Sequence, residues 1–414
     1  MVKNCERTYL IQNVGVFLIV LGYFDVVSNA FAVGTVLGLS ALAYRHFRYG
    51  SPIFELGREN IPWQAIFVML FFCILILIAA FFTVNSEVSI DSAVHRFNYM
   101  RPFFLLLLLA NFRTGFFQAI WFGIVVGGIA LCFAGENALK QFFILNIPRP
   151  SGSHSHPNVL AAHLVIIIPA IVAGICDKRF YKGLKIIAII CLLLVVFTML
   201  LTGSRGAFLA LLFASVWASL YYAHNRKKTV IAILVVATIV LAVTSIFSHR
   251  TIAGLGTIVE YQNTATFSER GRIYLWQGTW EMVKDYPVFG VGRDNFNKVY
   301  NEKYIPAEAT EFHLPHAHNI ILAGLSETGI VGLFGLLLLL SFQIRFVYKQ
   351  RFKLTSNIYP DMMFFTIIIM LVHGMVDTFQ GGSYARYYWI VWGTTCLSVI
   401  YHNKNSSQNS SKIS

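Results

Sequence analysis

The chain has 414 residues, of which 57% are hydrophobic and 12% charged, and its mean hydropathy is +0.64. That composition excludes an ordinary soluble domain and points to a protein that sits in a bilayer. The formal net charge of +13 is not a nucleic-acid footprint, because the excess lies in short loops between apolar runs and no basic stripe interleaves with aromatics on a polar module.

About twelve apolar runs are candidates to cross roughly 30 Å of hydrocarbon: 10–27, 30–44, 63–84, 101–112, 115–134, 159–176, 186–202, 206–223, 229–247, 317–344, 361–378 and 385–401. The runs 30–44 and 101–112 are short and must tilt, end early or extend into their flanks. No early segment combines a charged start, a short apolar core and a small-residue cleavage site, so the first run reads as a retained helix. Lys and Arg crowd the loops that share a side with Met1, notably Lys178, Arg179, Lys182 and Lys185, then Arg345, Lys349, Arg351 and Lys353. The positive-inside rule then places both termini in the cytoplasm and the long polar stretch 248–316 on the outer face. Cys5, Cys73, Cys132, Cys176, Cys191 and Cys396 lie in or beside apolar runs without a Cys-x-x-Cys spacing, and read as buried free thiols.

The expected fold is thus an all-α polytopic membrane protein with about twelve transmembrane helices and one large, partly helical outer loop. Residues 1–247 form the N-terminal helices, 248–316 the loop, 317–401 the C-terminal helices and 402–414 a polar, disordered tail. Inside the loop, Ser268–Met282 reads as an amphipathic helix capped by Ser268, with Ile273, Trp276 and Trp280 on one face. Such a helix would lie on the membrane surface and hold Arg270 and Arg272 at headgroup level. The run Asp285-Tyr-Pro-Val-Phe-Gly290-Val-Gly292-Arg293 breaks into turns. It is no dinucleotide fingerprint, since no strand precedes it.

Four places carry candidate chemistry. Thr202-Gly-Ser204-Arg205-Gly-Ala207 lies between two runs at the outer edge. Its arginine either snorkels to lipid phosphate or grips a diphosphate with the bidentate guanidinium fork. Arg270 and Arg272, two residues apart, point to different faces, so at most one reaches a shared site, and Arg272 is favoured. Arg293, beside two glycines, is a weaker candidate. His313, His316 and His318 crowd the mouth of the next helix. A metal site would need three or four ligands at fixed spacing, so an imidazole acting as base or hydrogen-bond partner is the preferred reading, without metal or other cofactor. His154 and His156 read as features of a proline-rich loop, and Gly324, Gly329, Gly332 and Gly335 as close-packing positions.

His318-Asn319, nine residues, then Gly329-Ile-Val-Gly332 resembles the signature H-[NSQ]-x9-G-x-x-[GTY] of bacterial O-antigen ligases of the WaaL type. Ser204-Arg205-Gly206, the Arg272 helix, Gly290-Val-Gly292 and the outer loop are similar to the wider superfamily of O-antigen ligases and polymerases. The resemblance in layout covers nearly the whole chain, the motifs only about 200–335. It implies a GT-C-like membrane glycosyltransferase of the bacterial inner membrane that works at the periplasmic face without metal or nucleotide. The donor would be a polysaccharide on undecaprenyl pyrophosphate and the acceptor a lipid A-core hydroxyl, with membrane lipids as the only other partners. Carried over by motif, Arg205 and Arg272 hold the pyrophosphate and His318 acts on the acceptor, with Arg270, Arg293, His316 and Asn319 as further substrate contacts. An O-antigen polymerase, a protein glycan transferase and a polysaccharide transporter are the alternatives.

Overall fold

The computed structural model describes residues 2–410 except 25–28, 54, 112, 134–136, 148, 223–258, 308, 310–313, 354–356 and 378–383. Among the described residues the chain is helical throughout and has no strand. The expected span 229–247 and His313 lie outside them, and so does the side chain of Arg270.

The N-terminal helices are α1 (Val2–Gly22), α2 (Ala30–Tyr49), α3 (Trp63–Phe81), α4 (Ser86–Phe97), α5 (Arg101–Leu108), α6 (Thr114–Phe133), α7 (Ala138–Phe143), α8 (Pro157–Cys176), α9 (Lys182–Leu201) and α10 (Arg205–Tyr222). After the undescribed stretch come α11 (Val259–Asp285), the short α12 (Phe296–Val299) with a π-turn at Tyr300–Tyr304, α13 (Ile320–Lys353), α14 (Tyr359–Gly374) and α15 (Tyr384–Ser410). Among the described residues, five helices, beginning at Trp63, Thr114, Pro157, Lys182 and Ile320, are long and apolar enough to cross a membrane, and α10 and α14 are shorter apolar helices. The expected span 101–112 is corrected: α5 has eight residues, about 12 Å of rise, too little to cross the hydrocarbon. It follows α4 through one 3-10 turn at Asn98–Met100 and packs on α15.

Helix α8 is the axis of the bundle. Its sequence is apolar on every side, and it is buried from Leu160 to Gly174 except at Val172, as an all-round hydrophobic helix must be. It packs against α6, α9, α10, α14 and α15. At one end of the bundle, charged groups meet partners where burial demands it: Arg45 with Glu55, Arg179 with Asp177 at 2.6 Å, and Arg351 with Asp361 at 2.5 Å. The basic loops expected on the side of Met1 are at this end. Six cysteines are free, but only Cys132, Cys191 and Cys396 are buried, and Cys176 is exposed. Helix α15 continues to Ser410, through residues 402–410 that were expected to be disordered.

The outer stretch differs from its expected form in two ways. Helix α11 starts at Val259, so Ser268 lies inside it and not at its N-terminus. Trp276 does not lie down on a membrane with Ile273 and Trp280. It turns into the protein, where its indole N–H donates to the Ala317 carbonyl at 2.9 Å, while Ile273 and Trp280 stay about half exposed.

The turn after α11 is built as expected, with Gly290 and Gly292 at φ 70° and 96°, and it meets an interruption in α13. At Gly329 the backbone takes φ 60°, ψ −166°, a conformation that is essentially glycine's alone. The freed backbone groups of α13 are satisfied by the turn. Val291 N–H and Gly292 N–H donate to the Ser326 and Glu327 carbonyls at 2.8 and 3.1 Å, and Ile330 and Val331 N–H donate to those of Pro287 and Val288 at 2.9 and 3.2 Å. A Cβ on Gly329 would lie 2.1 Å from the Val288 oxygen. Gly329 is therefore a backbone break that admits a loop, beyond the helix packing expected of it.

Candidate active site

The site lies at the bundle end opposite the Arg179 and Arg351 ion pairs, where α8, α10 and α13 begin and α14 ends. Ala317 is buried, and the residues on either side of it turn the same way: the His316 and His318 ring centres are 4.3 Å apart. His318 reaches this position through a left-handed backbone, φ 48°.

Asn319 explains how the segment is held. Its side-chain oxygen accepts from the N–H groups of Ile321 and Leu322 at 3.0 and 3.1 Å, which caps α13. Its amide donates to the Met375 carbonyl at 3.0 Å, pinning the chain just past α14 beside the start of α13. Asn319, expected to touch substrate, is thus a buried structural link. What it brings in is Asp377, two residues beyond Met375.

Asp377 Oδ1 lies 3.2 Å from His318 Nδ1 and 3.5 Å from His316 Nε2. Burial works to raise its carboxyl, and the close contacts with His316 and His318 outweigh this, holding it well below the usual carboxylate range. A carboxylate accepting at Nδ1 places the His318 proton there and leaves Nε2 with its lone pair. That is the tautomer a general base needs. His316, His318 and Asp377 also present ligand atoms within 4.8 Å of one another, so these three could begin a metal set. Hydrogen bonding to one carboxylate oxygen accounts for the same geometry.

The Arg205 motif approaches from α10. Gly203 has φ 62°, Ser204 N–H donates to Thr202 Oγ1 at 3.2 Å, and Ser204 Oγ caps the helix by accepting from Ala207 N–H at 3.5 Å. Arg205 is the first residue of α10, where the helix dipole favours an anion. Gly206 abuts the end of α14: a Cβ there would lie 2.5 Å from Val376 and 3.6–3.7 Å from the His373 ring. Asp377 and Arg272 each lie within electrostatic reach of His373, and His156 is within reach of Asp377, His318, Arg272 and Arg149. The start of α10 at Arg205, Arg272, His316 and His318, read from separate parts of the sequence, therefore lie around the end of α14.

Arg293 pairs with Glu327, which is itself within electrostatic reach of His316. Its Nε is 3.1 Å from Glu327 Oε2, with both side chains largely buried, and the next residue, Asp294, pairs with Arg96 at 3.1 Å.

Asp377, Arg149, His156 and His373 went unrecognised as site residues. Asp377 left a readable signal, an acidic residue inside the predicted run 361–378, where charge is costly unless it is used. Arg149 reaches from the loop before α8 to the Thr202 carbonyl and to Asn158 Oδ1, both at 3.2 Å. His156 is the N-cap of α8, its Nδ1 accepting from Asn158 N–H at 3.1 Å. Burial lowers its basicity, and Arg149 lowers it further.

A helical membrane protein with a histidine–carboxylate pair beside arginines at one membrane edge is the class these features define. Residues 189–337 match the family model described as O-Antigen ligase. That segment covers well under half of the chain and contains Arg205, Arg272, the glycine turn and His318, and it is this part of the chain that is similar to O-antigen ligases. An uncharacterized protein of Haemophilus influenzae is 26% identical over 262 residues, 59% of this chain. The aligned region spans 63% of that relative, less than two thirds of its length.

Proposed function

We propose that the protein transfers O-antigen polysaccharide from undecaprenyl pyrophosphate to a hydroxyl of the lipid A-core, at the periplasmic face of the bacterial inner membrane, with both termini in the cytoplasm and about twelve helices in a GT-C-like arrangement. The observation that carries this reading is the His318–Asp377 pair next to the Arg205 helix start and Arg272. His318 Nε2 takes the proton of the acceptor hydroxyl. The acceptor oxygen bonds to the anomeric carbon as the bond from that carbon to the diphosphate oxygen breaks, and the lipid diphosphate leaves. Direct displacement inverts the anomeric centre. Arg205, with the N-terminus of α10, and Arg272 neutralise the charge that grows on the departing oxygen. The reaction proceeds without metal.

Lateral access suits two amphiphilic substrates. An apolar cavity runs between α3, α4, α13, α14 and α15, lined by Phe72, Ile76, Leu336 and Trp389, with Arg96 and Arg293 among its polar lining. Such a cleft would take a hydrocarbon chain.

The test is transfer by the purified protein in nanodiscs with lipid-linked polysaccharide and lipid A-core, in the presence of EDTA. Arg205→Ala, Arg272→Ala and His318→Ala each abolish product while the folded protein persists, and Arg205→Lys is strongly impaired because a point charge lacks the fork. Wild-type transfer by any of the three alanine variants removes that residue from the mechanism, and loss of transfer with EDTA overturns the metal-free step. A deletion strain separates the polymerase reading: a ligase deletion leaves bare core, a polymerase deletion leaves core bearing a single repeat unit.

A further inference from the structure

An open groove of about 870 Å³ runs beside the site along α11, and nothing in the transfer chemistry uses it. Its walls are α11, the π-turn and following residues up to Pro306, and Leu322 in the first turn of α13. From Ile273 to Glu281 it follows α11 for about 12 Å at 1.5 Å per residue, the length of a short oligosaccharide. We propose that this groove is a saccharide subsite, holding sugar residues of a substrate's glycan on their way to or from the reacting bond. The proposal rests on the transfer reading above and deepens it.

Three observations support it. The first is the lining chemistry. Trp276, Trp280 and Tyr304 offer aromatic faces, and Gln277, Glu281 and Lys303 offer hydrogen-bonding groups among them. A sugar ring has the matching make-up, a face of C–H groups and a rim of hydroxyls that both donate and accept. A hydrocarbon chain would match the aromatic faces but not the polar groups set among them. A polyanion would ask for more than one cation beside a carboxylate.

The second is preorganisation. Trp276 is fixed by its hydrogen bond to Ala317. Tyr304 is fixed by its hydroxyl, 2.5 Å from Asp285 Oδ2, and Lys303 by the same carboxylate at 3.0 Å. Gly278 lets α11 come so close to the π-turn that a Cβ would sit 2.2 Å from the Tyr304 carbonyl. Aromatic walls held this way lose little freedom when a ligand docks.

The third is position. Ala317, whose carbonyl holds Trp276, lies between His316 and His318, so the groove and the candidate base share one wall. A glycan seated in the groove would enter the site alongside the imidazole. Trp280, about half exposed, would stack at the outer end.

The experiment reads binding without turnover. Protein in nanodiscs is titrated with lipid-free polysaccharide, and separately with core oligosaccharide, each released by mild acid from the lipopolysaccharide of the organism that encodes the protein. The signal is the difference in tryptophan emission between wild type and Trp280→Phe. At least one saccharide perturbs this signal, and which one does so tells whether the donor or the acceptor glycan occupies the groove. By direct calorimetric titration, Trp280→Ala and Gln277→Ala each weaken that saccharide about tenfold at unchanged melting temperature. His318→Ala still binds it, which separates failure of the subsite from failure of the transfer reading. The proposal is overturned if neither saccharide binds, if both variants bind like wild type, or if Trp280 emission ignores saccharide and is quenched by brominated phospholipid, which would make it a membrane-surface residue.

Discussion

Asp377→Asn is the most telling single change, since it keeps shape and volume and alters only what the carboxylate does for two imidazoles. One oxygen, Oδ1, lies 3.2 Å from His318 Nδ1 and 3.5 Å from His316 Nε2. In the asparagine variant the amide NH2 competes for that place. When it donates to His318 Nδ1, the ring proton moves to Nε2 and the base is lost. The same exchange behind a catalytic histidine in serine proteases costs about 10⁴ in kcat. Here the contact is at ordinary hydrogen-bond length and shared by two rings, so the expected loss in kcat is about 10²–10⁴-fold, or roughly 3–5 kcal/mol of transition-state stabilisation. The assay is initial-rate transfer in nanodiscs with donor and acceptor varied in turn, alongside thermal unfolding. The loss falls in kcat with KM for the donor little changed, and Asp377→Glu recovers part of it. A kcat within about threefold of wild type in folded Asp377→Asn would refute the pairing as part of the mechanism.

Three other outcomes follow. Arg293→Ala strips buried Glu327 of its ion-pair partner and destabilises the protein by about 3–5 kcal/mol. Adding Glu327→Gln restores the melting temperature, and if transfer returns with it, Arg293 serves the fold and not the substrate. Gly329→Ala demands a glycine-only backbone and puts a methyl against the Val288 carbonyl, costing at least about 3 kcal/mol in denaturant or thermal unfolding. His156 resists protonation in the folded protein because of burial and Arg149, with Asp377 opposing and His318 and Arg272 adding to the effect. The unfolded chain then binds the extra proton, so stability falls as pH drops below the unfolded value of about 6.5, and His156→Asn, which can still cap α8, flattens the melting temperature over that range.

Hydropathy makes the long helices legible, because a run that must satisfy its own backbone in hydrocarbon has one economical conformation. It fails at 101–112, where eight helical residues follow a polar helix and the apolar count overstates the length. Motif spacing carries the reader to His318, Asn319 and Gly329, but not to what they do. Asn319 acts as cap and clasp, and Gly329 acts through a loop some forty residues earlier. Neither role exists in the local sequence. Asp377 is 59 residues from His318 and becomes its partner only because Asn319 holds the end of α14. The face expected on α11 is amphipathic as read, yet periodicity cannot tell a membrane surface from a neighbouring segment, and Trp276 found Ala317.

The four backbone hydrogen bonds between the turn at 287–292 and the opening in α13 have a mechanical consequence. The short piece of α13 that follows His318 is stitched to the turn after α11 around Gly329, the same point at which it joins the long remainder of the helix. A displacement of α11 by whatever docks against it is therefore delivered through main-chain atoms to the imidazole, with Gly329 as the pivot. The end of α11 and its turn are thereby tied, main chain to main chain, to the piece of α13 beside the base.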